Sequence, residues 1–127
     1  MPGLLADSNW LIRLQHEVLH GVEGPAARLI RGQKVHINII SQAEFRSHGL
    51  TPEIEDILSR CVRLKPLSYE DANLAAAIRD QRRRAGKTLH LPDALMAAHA
   101  MRRHLRLITA DKDFSGIPGL KWSNYPH

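Results

Sequence analysis

The chain has 127 residues and a mass of 14.3 kDa, a length that suits one domain whose core needs no stapling. Apolar residues make up 43% and charged residues 24%, which excludes a disordered tail, and the lone cysteine, Cys61, excludes a disulfide scaffold. No apolar run reaches the roughly 18 residues of a membrane helix. The opening, MPGLLADSNWLIRLQ, is broken by Asp7 and has no basic region ahead of its apolar stretch, so it does not read as a secretory leader. A cytoplasmic location is expected. Eighteen Lys and Arg against thirteen Asp and Glu give a formal charge of +5 and a pI near 9.9. That surplus suits a polyanionic partner and equally serves solubility. Aromatic residues, at 5%, are too few for a base-stacking surface.

Residues 3–6 form a short apolar strand that stops at Asp7-Ser8-Asn9, residues that start helices. Trp10, Leu11 and Leu14 follow at helical spacing, and Gly21, Gly24 and Pro25 punctuate the next stretch. The β-branched run VHINII predicts a second strand over 35–40. Ser41, with Glu44 three residues on, opens a helix to about His48. Thr51-Pro52-Glu53 opens another, with Leu50, Ile54, Ile57 and Leu58 as its apolar stripe. Residues 61–64 suit a short third strand. Ser68 and Asp71 can form a capping box at the head of the longest helix, which runs to about Arg84. Pro92-Asp93 begins a helix to about His104, LRLIT at 105–109 is a fourth strand, and 120–122 a fifth. There is no repeat or linker, so a single domain over 1–127 is expected. Strands alternating with helices predict an α/β fold with a mainly parallel sheet of four to five strands.

Four acids stand at element junctions: Asp7 after strand one, Glu44 after strand two, Asp93 at a helix start and Asp111 after strand four. Each has a purely structural reading. Asp7 can cap a helix, Glu44 can complete a capping box with Ser41, Asp93 can complement a helix dipole and Asp111 can make a turn. Their shared position argues for more. The carboxyl ends of parallel strands lie along one edge, where ligands bind. Carboxylates gathered there repel one another unless a cation joins them. All-oxygen ligands suit Mg²⁺ or Mn²⁺, and such an ion lowers the pKa of a bound water and neutralises phosphodiester charge. Surrounding basic side chains can then hold a phosphate backbone.

The patches LLADSNWLI, SQAEF, LPDALMAAHA and LITADKDF resemble, in order and spacing, the four acidic motifs of PIN domains, and within them the VapC-like toxins of toxin–antitoxin pairs. The resemblance spans residues 4 to about 114; residues 17–34 match nothing in particular. It implies a three-layer α/β/α PIN-like fold, a Mg²⁺-dependent ribonuclease in which Mn²⁺ can substitute, a homodimer, and a cognate antitoxin protein. Carried over by position, Asp7, Glu44 and Asp93 match the metal-holding acids, with Asp7 and Asp93 as the metal pair and Asp111 as the fourth acid. Asn9 and Thr109 fall where small polar residues orient the carboxylates, and Asp113 is a further acid whose share in the site stays open beside that of Asp111. Trp10 is bulkier than the motif leads one to expect and suits a core position. A non-catalytic PIN-fold module that binds RNA or protein is the alternative.

Other signals compete. His16-Glu17-Val18-Leu19-His20 is a literal HExxH, the zinc-peptidase pattern. Gly21 follows at once, and no third ligand stands at an evident spacing. Arg79, Arg82, Arg83, Arg84 and Lys87 suit either a solvated helix end or, for Arg79, Arg82 and Arg83, contacts to an RNA backbone. Arg102, Arg103 and Arg106 carry the same two readings. The stripe at 50–58 suits packing on the sheet or receipt of an amphipathic antitoxin helix, and Cys61 suits a small buried hydrophobe.

Overall fold

A computed structural model describes residues 3–29, 32–49 and 51–124. Its elements run β1 (Leu4–Ala6), α1 (Ser8–Leu19), α2 (Pro25–Leu29), β2 (Val35–Ile37), α3 (Ile39–Arg46), α4 (Pro52–Ser59), β3 (Val62–Arg63), α5 (Tyr69–Arg84), α6 (Leu91–Arg102), β4 (Arg106–Ile108), a 3-10 turn (Lys112–Phe114) and β5 (Trp122–Ser123). All strand pairs are parallel, in the order β3-β2-β1-β4-β5. The chain therefore steps outward from β1 to β3 and then returns to the other side of β1. This reversal puts a topological switch point between β1 and β4, the place where open parallel sheets form a crevice at the carboxyl ends of their strands.

Strand alternation builds the layers. Leu4 and Ala6 point into one core with Trp10, Leu11, Phe45, Ile54, Ile57 and Leu58, while Leu5 points into a second with Ala75, Ile78, Ala94, Ala97 and Ala98. On β4 the same alternation sends Ile108 to the first core and Leu107 to the second. The sheet is thus sandwiched between α1–α4 and the α5–α6 pair, the three-layer arrangement expected. Each fully buried Leu or Ile contributes roughly 1.5–3 kcal/mol. Trp10 is such a core residue, and its indole N–H donates to the Ala26 carbonyl at 3.2 Å. Ile54, Ile57 and Leu58 pack into the core; Leu50 lies outside the described residues.

Two local expectations are corrected. The run VHINII is strand only through Ile37, because Asn38 and Ser41 form a capping box that starts α3 at Ile39. Asn38 Oδ1 accepts from the Ser41 N–H at 2.9 Å, and capping outweighs the β-preference of Ile39, which is left 61% exposed. The purely structural reading of Glu44 as Ser41's capping partner therefore fails, and Glu44 lies in the second turn of α3. The second correction is α2, a short helix in a stretch that reads as punctuation. It exists because buried Glu17 accepts from the backbone N–H groups of Gly24, Ala26 and Ala27 at 2.9–3.0 Å, satisfying the helix start from outside. Other caps follow expectation: Thr51 with Pro52 begins α4, and Ser68 with Asp71 boxes α5.

Candidate active site

Asp7 closes β1 and caps α1. Parallel pairing of Ala6 with Ile108 places it beside the end of β4, where its N–H donates to the Ile108 carbonyl at 3.0 Å. The Thr109 hydroxyl donates to Asp7 Oδ2 at 2.7 Å, Asn9 Nδ2 donates to the same oxygen at 3.2 Å, and the Ser8 N–H donates to Oδ1 at 2.8 Å. A carboxylate offers about four lone-pair sites, so roughly one is left for another ligand. Asn9 also donates to Thr109 Oγ1 at 3.1 Å and accepts from the Ala110 N–H at 3.2 Å. The two residues expected to orient carboxylates thus lock the switch point together.

The other three acids converge on Asp7. Asp93 is the third residue of α6, a helix whose first residue follows His90. Burial, then the charges of Asp7, Asp111 and Glu44, push its carboxyl up to about 6, against a smaller lowering by His90. Burial raises the Asp7 carboxyl above its ordinary range despite the bonds from Thr109 and Ser8, and the charge of Asp111 adds to the rise. Glu44 is also raised, by partial loss of water and by Asp7, while a bond with the Ser8 side chain opposes the shift. Burial raises all three carboxyls, and the charges they share with Asp111 add to the rise.

Asp111 Oδ1 accepts from the Asp113 N–H at 2.9 Å and so makes the 3-10 turn, yet its charge still reaches Asp7 and Asp93. Asp113 is exposed and contributes to neither. Ser8 and His90 are the neighbours that sequence reading passed over. Ser8 looked like a simple helix-start residue, and His90 carries no recognisable pattern.

Among the described residues no group of three or more His, Cys, Asp or Glu side chains is gathered closely enough to hold a metal ion together. The donor set instead fits a hard cation that keeps water in its shell, being all-oxygen, acid-rich and partly buried. Asp7 and Asp93 are the acids that could hold such an ion, with Glu44 and Asp111 in the same electrostatic field.

The competing motifs resolve differently. His16 and His20 are exposed, their rings 4.3 Å apart, but the Glu17 carboxylate between them faces inward onto α2 and Arg13. It is not available as the base a zinc peptidase needs. Arg102 and Arg103 pair with fully buried Asp71 at 2.9 and 3.3 Å, and Arg106 donates to the Trp122 carbonyl at 3.2 Å, so this second basic group is structural. Arg79 and Arg82 each give a donor to a backbone carbonyl, of Leu89 and of Gly116, whereas Arg83 is exposed. Cys61 is half-buried rather than buried. Its thiol donates to the Ile57 carbonyl, and burial lifts its pKa to about 11, which makes it an inert packing residue.

An all-parallel α/β/α sandwich with an acid cluster over its switch point is the class that fold and site define. The PIN domain family matches residues 4–120, and the chain belongs to that family, one of nucleases. Its fold is VapC-like. VapBC2 from Rickettsia felis, solved with a DNA fragment from its promoter, superposes with a TM-score of 0.79 at 19% identity, covering 97% of this chain and 98% of that one. A toxin–antitoxin complex from Klebsiella pneumoniae gives 0.69 at 26% identity over 93% and 95%. VapBC-1 from nontypeable Haemophilus influenzae gives 0.73 at 20% over 95% and 96%. No curated protein matches the chain in sequence. No helix among the described residues is long and apolar enough to cross a membrane.

Proposed function

We propose that this chain is a Mg²⁺- or Mn²⁺-dependent endoribonuclease and the toxin of a toxin–antitoxin pair. The observation that carries this reading is the acid group at the switch point: Asp7, held at the end of β1 by Thr109, Asn9 and Ser8, with Asp93, Glu44 and Asp111 within its electrostatic reach, on a protein with net charge +5. A protein rich in cations whose described residues form no salt bridge to any of these four acids has a site suited to an external cation. A bound divalent ion supplies a lowered pKa for water and neutralises charge on a phosphodiester.

The chain's own residues supply the rest. Asp7 and Asp93 would hold the ion, one from a strand end and one from a helix start, so both backbones are rigid. Thr109 and Asn9 fix Asp7 Oδ2, which prevents the carboxylate from turning away. Glu44 and Asp111 extend the negative field and can take up a proton from an attacking water. No side-chain nucleophile is required. The toxin role and an antitoxin protein partner are supported by the likeness to solved toxin–antitoxin complexes, and a homodimer in a cytoplasmic setting belongs to the same proposal.

The test is cleavage of total cellular RNA by the purified protein with Mg²⁺ or Mn²⁺, with EDTA and Asp7→Asn as controls. Discrete fragments lost in both controls are expected. Cleavage that survives Asp7→Asn would overturn the assignment, and metal-independent inertness together with a melting temperature unmoved by metal would favour a non-catalytic binding module.

A further inference from the structure

α5 and α6 form an antiparallel pair. The end of α6 meets the start of α5 through Arg102, Arg103 and Asp71, and the far part of α5 meets the start of α6 through Arg79 and the Leu89 carbonyl at 3.0 Å. The C-terminal end of α5 therefore lies at the same sheet edge as Asp93, and Arg82 bonding to the Gly116 carbonyl after β4 ties it there. At this edge a cavity of about 170 Å³ is lined by Arg79, Arg83, Lys87, Thr88 and Leu89. Three of its five residues are cationic and none is acidic. Arg79 spends its Nε on Leu89, Arg83 is 74% exposed and reaches Asp80 only at 4.0 Å, and Lys87 has no ion pair among the described residues.

We infer that this cavity is a phosphate-binding subsite that seats one backbone phosphodiester of a single-stranded RNA, beside the acid cluster and separated from it by the start of α6. Naming the ligand as RNA rests on the nuclease reading; the cavity's affinity for a phosphodiester does not. A strand crossing this edge would meet cations that hold it and then carboxylates that, once loaded with metal, act on it. Arg82 and Arg84 are left out: Arg82 is committed to Gly116, and Arg84 pairs with Asp80 at 3.0 Å.

The test measures anisotropy of a short fluorescein-labelled oligouridine bound to the full chain in EDTA, across a salt series, so that cleavage plays no part. Arg79 is avoided because its loss would free the Leu89 carbonyl. Arg83→Ala and Lys87→Ala are the variants, and Lys121→Ala, an exposed cation next to β5, is the charge-matched control. Each cavity variant should lower the slope of log affinity against log salt by about 0.7, and the double variant should weaken binding about tenfold at moderate salt. Lys121→Ala should leave the slope unchanged, and all melting temperatures should hold. Equal slopes in wild type and the double variant would overturn the subsite, as would displacement of the oligouridine by polyglutamate as readily as by unlabelled RNA. Loss of slope in a protein that cleaves no RNA would keep the subsite and overturn the nuclease reading instead.

Discussion

The Thr109 hydroxyl donates to Asp7 Oδ2 at 2.7 Å across 102 positions of sequence, joining the ends of β1 and β4. Thr109 is itself fully buried and accepts from Asn9 Nδ2 and the Asp111 N–H. One hydroxyl therefore orients one acid and anchors the loop that carries another.

Thr109→Val keeps the shape and deletes the hydroxyl. Asp7 loses its shortest bond, and two donors lose their acceptor. A loss of about 1–3 kcal/mol is expected by urea denaturation, together with a fall in metal-dependent cleavage. Thr109→Ser should restore most of both. Full cleavage by the valine variant would show that Asp7 does not depend on this bond.

The acid cluster fixes a pH dependence. An acid whose folded pKa exceeds its unfolded value binds more protons folded than unfolded, so stability falls as pH rises. For Asp93 the window runs from the ordinary 3.8 to about 6. Without metal the protein should lose roughly 1–2 kcal/mol across that window, after allowing for solvent screening. Asp93→Asn should be more stable than wild type at pH 7 in EDTA and no more stable near pH 4. Millimolar Mg²⁺ should raise the wild-type melting temperature and leave the variant's nearly unmoved. A variant less stable than wild type at pH 7 would contradict the repulsion.

Asp71 runs the other way. The Ser68 N–H, Arg102 and Arg103 outweigh its burial and hold its carboxyl at about 2, so its contribution is complete above the ordinary 3.8 and disappears as pH falls through about 2. Asp71→Ala strands two arginines and removes the return bond of the α5 capping box, leaving the Ser68 cap itself in place. A loss of about 3–5 kcal/mol is expected at pH 7, shrinking towards pH 2. Thermal melts of both proteins across that range would show it.

Glu17 tests the HExxH pattern directly. Glu17→Ala leaves three N–H groups of the α2 start without a partner and should cost about 2–4 kcal/mol. His16→Ala, at an exposed position, should change stability by less than about 0.5 kcal/mol. Zn²⁺ should not raise the melting temperature of either wild type or His16→Ala. A Zn²⁺-dependent rise lost in His16→Ala would reinstate the peptidase reading.

What sequence alone determined about this protein is what acts within a turn or two of chain. The caps at Thr51 and Ser68, the element order and the placing of Asp7, Asp93 and Asp111 at junctions were all legible, because capping and periodicity are local. The run VHINII misled for the same reason in reverse: two local signals competed, and the Asn38–Ser41 box won over β-branching. Tertiary structure decided everything that depends on which distant segments meet. It set β1 beside β4, brought the charge of Asp111 to bear on Asp7 and Asp93, turned Glu17 onto α2, gave Arg102 and Arg103 their buried partner, and left Arg83 and Lys87 facing a cavity at the acidic edge. Charge pairing and desolvation act through space, and a single sequence lists charges without their separations.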